Sequence, residues 1–332
     1  VNILLIQLKR IGDLILTTPA IAALRQKFPD AKLSLVVSPG CAELLPAIPY
    51  IDNHFFAGDW LKIARGSFDC AIDFTRTDRS ALLTFISRAE RRITSGRKKY
   101  RAKLRALAYN ELIARPLKFE HAIDSNLALL EPLGINGAAP PVQLDLPTEA
   151  HETVGNILSR EKIDNDFVVF HPGSARAEKF WEPECWASAI EHCANDLQLA
   201  CVVTSGNSPM EKAHLAKIKS ATRTRYVDLS GQTSLLALAA LIEKARLLVT
   251  IDSAPVHLAA AMRTPQVALF GPTNPFHWAP RDSPALICYA GKVLRPNELA
   301  PERPRFPMKL ISTQAVIDAM KSLLSRPTAP AS

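Results

Sequence analysis

Apolar residues in this chain gather into short runs, separated by stretches where they recur at helical spacing, and the alternation occurs twice. In the first half, residues 3–8 form a run of strand length. Thr17-Thr18-Pro19 then opens a helix, proline being suited to a first helical turn, and Ile21, Leu24 and Phe28 repeat at helical spacing. Lys32–Val37 and residues 70–74 are the next buried strands. Pro140-Pro141 through Pro147 is extended and proline-punctuated, which makes it the expected inter-domain linker. In the second half, strand-like runs at Phe167–His171, 199–204, 226–229, Leu247–Ile251 and Gln266–Phe270 alternate with helical stretches near Pro183–Asn195, 209–219, 234–245 and 256–262. Runs apolar throughout suit strands buried on both faces, so the pattern predicts an α/β protein with parallel sheets covered by helices. A proline-rich region follows Pro280, and a last amphipathic helix starts near Ser312 with Val316, Ile317, Met320, Leu323 and Leu324 on its apolar face.

Length agrees with two such units, since 332 residues are too many for one ordinary core and comfortable for two of roughly 150. The expected division is 1–145, 146–311 and a terminal helix over 312–332. Two doubly wound domains facing each other bind ligands at the carboxyl ends of their strands. No strand is followed by GxGxxG, which counts against a nicotinamide enzyme, and no Walker P-loop is present.

Composition adds constraints. An apolar fraction of 48% and a charged fraction of 22% are ordinary for a folded soluble protein, and no run reaches the length of a membrane-spanning helix. The apolar start, Val1 to Ile6, runs directly into Lys9-Arg10 and reads as a first strand, not a signal peptide. Six scattered cysteines (Cys41, Cys70, Cys185, Cys193, Cys201, Cys288) without a CxxC pair indicate reduced thiols in a cytoplasmic protein. The net charge of +8 is concentrated: residues 76–105 hold eleven basic side chains against two acidic ones. Such a block suits a phosphorylated glycolipid, an acidic membrane surface or nucleic acid, unless it is simply a solvated helix face. Its aromatics, Phe85 and Tyr100 with Tyr109 just beyond, make no stacking platform, so a nucleic-acid partner is not expected.

Four loops carry candidate chemistry. In Lys9-Arg10-Ile11-Gly12-Asp13, Gly12 permits a sharp turn after the strand and leaves Asp13 ahead of a helix. Asp13 is there either a general base or a helix cap. His171-Pro172-Gly173-Ser174, with Lys179 and Trp181 behind it, offers backbone N–H groups, a hydroxyl and a cation to a pyrophosphate, or is an ordinary turn. In Asp252-Ser253-Ala254-Pro255-Val256-His257, small residues open a helix N-terminus to an anion, and His257 shares a face with Ser253. Phe270-Gly271-Pro272-Thr273 again follows a strand directly. Asp164-Asn165-Asp166 mimics a metal-binding DxD but precedes its strand, on the wrong edge, so no metal is expected and leaving-group charge falls to Lys179 and helix N-termini.

Taken in order, these motifs, joined by Thr17-Thr18-Pro19-Ala20 and Leu229-Ser230-Gly231-Gln232-Thr233-Ser234-Leu235, resemble those of glycosyltransferase family 9, the heptosyltransferases of lipopolysaccharide core assembly. The resemblance implies a GT-B fold of two Rossmann-like domains and an inverting, metal-independent transfer from a nucleotide sugar, ADP-heptose in characterised relatives. It casts Asp13 as the base and puts Ser174, Lys179, Asp252, Ser253, Ala254 and His257 around the nucleotide diphosphate and sugar, with Gly271 and Thr273 in a matching motif. Lys9, Arg10, Arg97, Lys98 and Arg101 become acceptor-binding candidates for an anionic glycolipid at the inner leaflet. The enzyme would then be a cytoplasmic monomer, peripheral to the inner membrane, needing no cofactor beyond its donor substrate. The final helix would return to the N-terminal domain. Ser253-Ala254 stands where members often carry Thr-Gly or Ser-Gly, and Gly173-Ser174 where some have Thr-Thr, so the donor sugar is less fixed than the chemistry. A non-catalytic nucleotide-sugar or glycolipid binder on a decayed fold of the same kind is the rival reading.

Overall fold

The computed structural model describes residues 1–96, 107–113, 119–281, 283–301 and 305–325. The chain forms two compact units, Val1–Asp145 and Leu146–Ser332.

The first unit runs β1 (Asn2–Gln7), α1 (Ile11–Ile15), α2 (Thr18–Lys27), β2 (Lys32–Val37), β3 (Asn53–Phe56), α3 (Trp60–Arg65), β4 (Cys70–Asp73), α4 (Asp78–Ile86), β5 (Arg91–Ser95), β6 (Glu111–Ile113) and α5 (Ala122–Leu127). Its six strands are ordered β3-β2-β1-β4-β5-β6, and every pairing is parallel. That is the Rossmann order. In β1 and β2 the five residues after the first are all buried, the expected result for central strands with helices on both faces. On one face, Ile63 of α3 and Leu83 of α4 pack with Leu4, Ile6, Val36 and Ala71.

The second unit runs α6 (Thr148–Glu161), β7 (Phe167–His171), α7 (Pro183–Asn195), β8 (Ala200–Val203), α8 (Pro209–Ala221), β9 (Val227–Asp228), α9 (Leu235–Lys244), β10 (Leu247–Ile251), α10 (Ala254–Ala261), β11 (Gln266–Phe270), α11 (Pro275–Trp278), β12 (Ala285–Tyr289), β13 (Lys292–Leu294) and α12 (Thr313–Leu324). The sheet order β13-β12-β11-β10-β7-β8-β9 repeats the first topology, with β13 added antiparallel at one edge. Strands β7, β10 and β11 are buried at every position.

The final helix is as amphipathic as its sequence suggests, but its apolar face is committed to the second unit. Val316, Ala319, Met320 and Leu323 join Val249, Val267, Leu269 and Trp186 in one buried cluster, and α12 packs against α7 and β12. This corrects the expectation that it returns to the N-terminal domain, because the stripe is filled by its own sheet. A second difference lies after Pro280, where the proline-rich stretch hides the fully buried strand β12.

In each sheet the chain starts with a central strand, winds outward to one side, then comes back to build the other. The switch points are therefore between β1 and β4, and between β7 and β10. Loops leaving the carboxyl ends of those strands diverge and open the crevice in which such sheets bind ligands.

Candidate active site

At the first switch point, β1 ends at Gln7 and the chain turns through Leu8–Arg10 into α1. The turn is fixed from both sides. Leu8 N–H donates to Thr75 Oγ1 at 2.6 Å, and Ser38 Oγ donates to the Leu8 carbonyl at 2.5 Å. Behind it, the Thr17 hydroxyl donates to the Asp13 carbonyl at 2.8 Å, and buried Gln7 Nε2 donates to Thr17 Oγ1 at 2.9 Å. Asp13 thus sits in a five-residue helix whose backbone is clamped. The N-cap position belongs to Arg10, so Asp13 does not occupy the cap, although its carboxylate draws on the Arg10 backbone N–H. Lys9 Nζ lies 3.8 Å from Asp13 Oδ1. Burial raises the Asp13 carboxyl above the usual carboxylate range, against the opposing pull of Lys9, Arg10 and Arg76. Burial likewise lowers the Lys9 ammonium from its ordinary value. A partly enclosed carboxylate with a raised proton affinity suits a general base.

The other lip of this crevice comes from Asp73, which the motif reading passed over. Asp73 ends β4 fully buried and accepts from Thr75 N–H at 2.8 Å, Arg76 N–H at 3.0 Å, Ser80 Oγ at 2.7 Å and Tyr109 Oη at 2.5 Å. Burial still raises its carboxyl, those donors acting against it. The cluster holds Arg76 in the left-handed region, at φ 64°, a conformation costly for a side chain this large unless the surroundings enforce it. Arg76 Nη1 donates to Ser95 Oγ at 2.8 Å, and its charge is felt at both Lys9 and Asp13. Asp73 follows the same rule as Asp13, an acid where an apolar run ends, and that was the available signal.

At the second switch point, Thr250 of β10 is in register with His171 of β7. The loop after β7 reaches back across it: Lys179 Nζ lies 2.5 Å from Asp252 Oδ2 and 2.9 Å from the Asp252 carbonyl oxygen. Both side chains are largely enclosed, at 13% and 9% exposure. The following Trp181 anchors this segment, fully buried against Trp186 and donating from Nε1 to the Ile311 carbonyl at 2.9 Å. Ser253 holds the N-cap position of α10, yet its hydroxyl does not cap. It donates backwards to the Ile251 carbonyl at 3.2 Å. His257 is buried in α10, its Nδ1 without a hydrogen-bond partner among the described residues. Burial holds its imidazole down at about 4, with Asp252 opposing, so the ring is neutral near pH 7.

Ser174 is buried and its Oγ accepts from Arg176 N–H at 3.2 Å. Beside it, Gly173 is required by close approach. A Cβ there would lie 2.5 Å from Ser205 Oγ and 2.7 Å from Glu211 Oε1. Glu211 is a buried acid that motif reading also missed. It is the third residue of α8 and accepts from Ser208 Oγ at 2.7 Å in a capping box, so Ser208-x-x-Glu211 was its sequence signal. His171 beneath is enclosed, pushed down to about 4 by burial, and its Nδ1 lies 2.9 Å from Thr204 Oγ1.

The loops after β7, β10 and β11 leave three neighbouring parallel strands, so Ser174, Asp252, Ser253, Ala254 and Thr273 share one edge of the sheet. Gly271 has a packing duty: a Cβ would lie 2.5 Å from the Met308 sulfur, where residues 306–308 cross the strand end. Lys9 and Arg10 flank Asp13, whereas Arg97, Lys98 and Arg101 lie outside the described residues. Asp166 pairs with Arg246 at the start of β7, the opposite edge from the site. Among the described residues no three His, Cys, Asp or Glu side chains cluster to hold a metal ion, and no helix is long and apolar enough to cross a membrane.

A family model for glycosyltransferase family 9 (heptosyltransferase) matches residues 60–297. The chain belongs to this family. Lipopolysaccharide heptosyltransferase 3 of Escherichia coli is 26% identical over 336 residues, covering 96% of this chain and 97% of that protein. The glycosyl transferase family 9 structure from Veillonella parvula superposes with a TM-score of 0.82 at 24% identity, over 97% of both chains. An E. coli heptosyltransferase solved with ADP-2-deoxy-2-fluoro heptose gives 0.70 at 20% identity, over 97% of this chain and 99% of that one. The fold is therefore GT-B, two Rossmann-like domains, and the protein is a glycosyltransferase.

Proposed function

We propose that this enzyme transfers a heptosyl group from ADP-heptose to a lipopolysaccharide core acceptor, inverting the anomeric centre without a metal ion. The observation that carries the reading is the Lys179–Asp252 pair at the second switch point, beside the start of α10. A cation and a helix N-terminus converge there, as a departing diphosphate requires. Membership of the family, and the likeness to lipopolysaccharide heptosyltransferases and to one solved with an ADP-heptose analogue, support this choice of sugar and acceptor class.

In this reading Ser174, Lys179, Ser253 and Ala254 hold the diphosphate, while Asp252, neutral His257 and Thr273 address the sugar. Lys9 and Arg10, with Arg97, Lys98 and Arg101, attract the phosphorylated acceptor at the inner leaflet, where the enzyme works as a monomer on the cytoplasmic side. Asp13 accepts the acceptor's hydroxyl proton. The acceptor oxygen bonds to the anomeric carbon as the bond from that carbon to the diphosphate oxygen breaks. The electron pair leaves with the nucleotide, and Lys179 offsets the new charge.

The test is a product assay with ADP-heptose and a core acceptor lacking that heptose, run with and without EDTA, the linkage read by NMR. The expected product has the anomeric configuration opposite to the donor's, and its yield ignores EDTA. Asp13→Ala should lower turnover by roughly 10²–10⁴-fold while ADP still binds. Near-normal turnover in that variant removes Asp13 from the role, and product from a different nucleotide sugar moves the donor.

A further inference from the structure

Helices α3 and α4 pack side by side on one face of the first sheet. Their inward residues, Ile63 and Leu83, are buried in the core, so both helices are fully docked. Even so, Trp60, Leu61, Leu82 and Phe85 stand outward with 48–60% of their surface exposed. Large apolar side chains scattered singly over a surface need no explanation, but four on two adjoining helices make a ridge. The ridge is fringed by cations. Lys62, Arg65 and Arg79 are all exposed on the same two helices. Lys62 lies 3.0 Å from Asp59, whose carboxylate also accepts from the Phe56 N–H, and Asp78 opens α4, so the three cations outnumber the two acids by one. In sequence, residues 76–105 continue the same positive charge.

We propose that the α3–α4 face is a membrane-docking surface, which seats its tryptophan, leucines and phenylalanine among the acyl chains of an anionic leaflet while the flanking cations meet lipid phosphates. Apolar aromatic and leucine side chains beside lysine and arginine are what an interfacial surface of this kind requires. A protein partner would bury such a ridge too, but the cationic fringe favours a surface of dense negative charge. Placement agrees. Helices α3 and α4 follow the carboxyl ends of β3 and β4, so Trp60 and Leu61 lie at the sheet edge that carries Asp13, while Leu82 and Phe85 continue the apolar face along α4 toward the other edge. A bilayer touching the Trp60–Leu61 end of this face holds a lipid-borne acceptor on the side of the base. The proposal rests on the acceptor being lipid-anchored, as in the function proposed above.

The experiment compares the full chain with Trp60→Gln/Leu82→Gln/Phe85→Gln in co-sedimentation with vesicles of phosphatidylcholine, with and without phosphatidylglycerol. Glutamine keeps helix propensity at exposed positions, and equal circular dichroism and Tm confirm the fold. The wild type should bind the phosphatidylglycerol vesicles and release them at high salt, and the triple variant should partition at least about tenfold more weakly. Of the other three tryptophans, Trp181 and Trp186 are buried and half-buried Trp278 lies in α11 of the second unit, so a vesicle-induced blue shift of tryptophan emission should disappear in Trp60→Gln alone and persist in Trp278→Phe. Equal partition of both proteins overturns the proposal, as does a wild type that binds neither vesicle. A variant altered only in self-association, measured by sedimentation velocity, also overturns it and makes the ridge a protein interface. Vesicle binding needs neither donor nor acceptor. Transfer to a water-soluble core oligosaccharide, which the variant should retain, therefore tests the function separately.

Discussion

Replacing Lys179 with methionine keeps the length of the side chain and most of its apolar stem, and deletes the ammonium. That group lies 2.5 Å from the Asp252 carboxylate and 2.9 Å from its carbonyl oxygen, in a pair exposed by only 13% and 9%. So enclosed an ion pair contributes little net stability as a pair, since desolvation offsets attraction. Removing one partner is different, because it strands the other charge at a cost of about 3–5 kcal/mol. At about 2–4 °C of Tm per kcal/mol for a domain of this size, the single variant should melt roughly 6–20 °C lower. Lys179→Met/Asp252→Asn leaves no stranded charge and should recover most of that loss. Donor affinity should not recover with it. Losing a charge-assisted contact to the diphosphate costs about 1.5–3 kcal/mol, or about 10- to 150-fold in the Kd for ADP, in the single and double variants alike. Thermal unfolding of the four-member cycle reads the first effect and calorimetric titration with ADP the second. A single variant that keeps its Tm within about 2 °C refutes the burial argument. A double variant that regains ADP affinity together with stability refutes the assignment of Lys179 to the diphosphate.

Stability should also fall in mild acid. His171 and His257 are held at about 4 by burial, against 6.5 unfolded, so the unfolded chain takes up protons first as pH drops. Their contribution is complete above 6.5 and is lost towards 4, at about 1.4 kcal/mol per pH unit for each histidine. Urea midpoints at neutral and mildly acid pH measure it, and an unmoved midpoint would sink the claim. Asp13 runs the other way. Its raised pKa means the folded state keeps the proton longer, so ionising it as pH rises costs stability while creating the base. Gly173→Ala should destabilise the protein by about 1–3 kcal/mol and weaken ADP binding, because the new Cβ meets Ser205 and Glu211. An alanine variant with wild-type Tm and ADP affinity would show that the loop yields freely.

The sequence by itself determined the central sheet and its grammar. Strands β1, β2, β7, β10 and β11 are mostly apolar runs of strand length because both of their faces are covered. It also determined that Asp13, Ser174, Asp252 and Thr273 stand where strands end, since parallel connections put all those ends on one edge. Edge strands were hidden. In β3 none of the four residues is buried and β6 has only three residues, so neither produces a run, and β12 was masked by the prolines around it. The amphipathic stripe of α12 was plain, but a stripe states that a face will be buried and not against what. Only the packed structure gave it to the second sheet. Tertiary structure alone also joined Lys179 to Asp252 across 73 positions, tied Asp73 to Tyr109 across 36, and brought α3 beside α4 with four apolar side chains left outside. Local spacing fixes periodicity and caps, whereas contacts between distant segments depend on how whole elements stack, which no window of sequence contains.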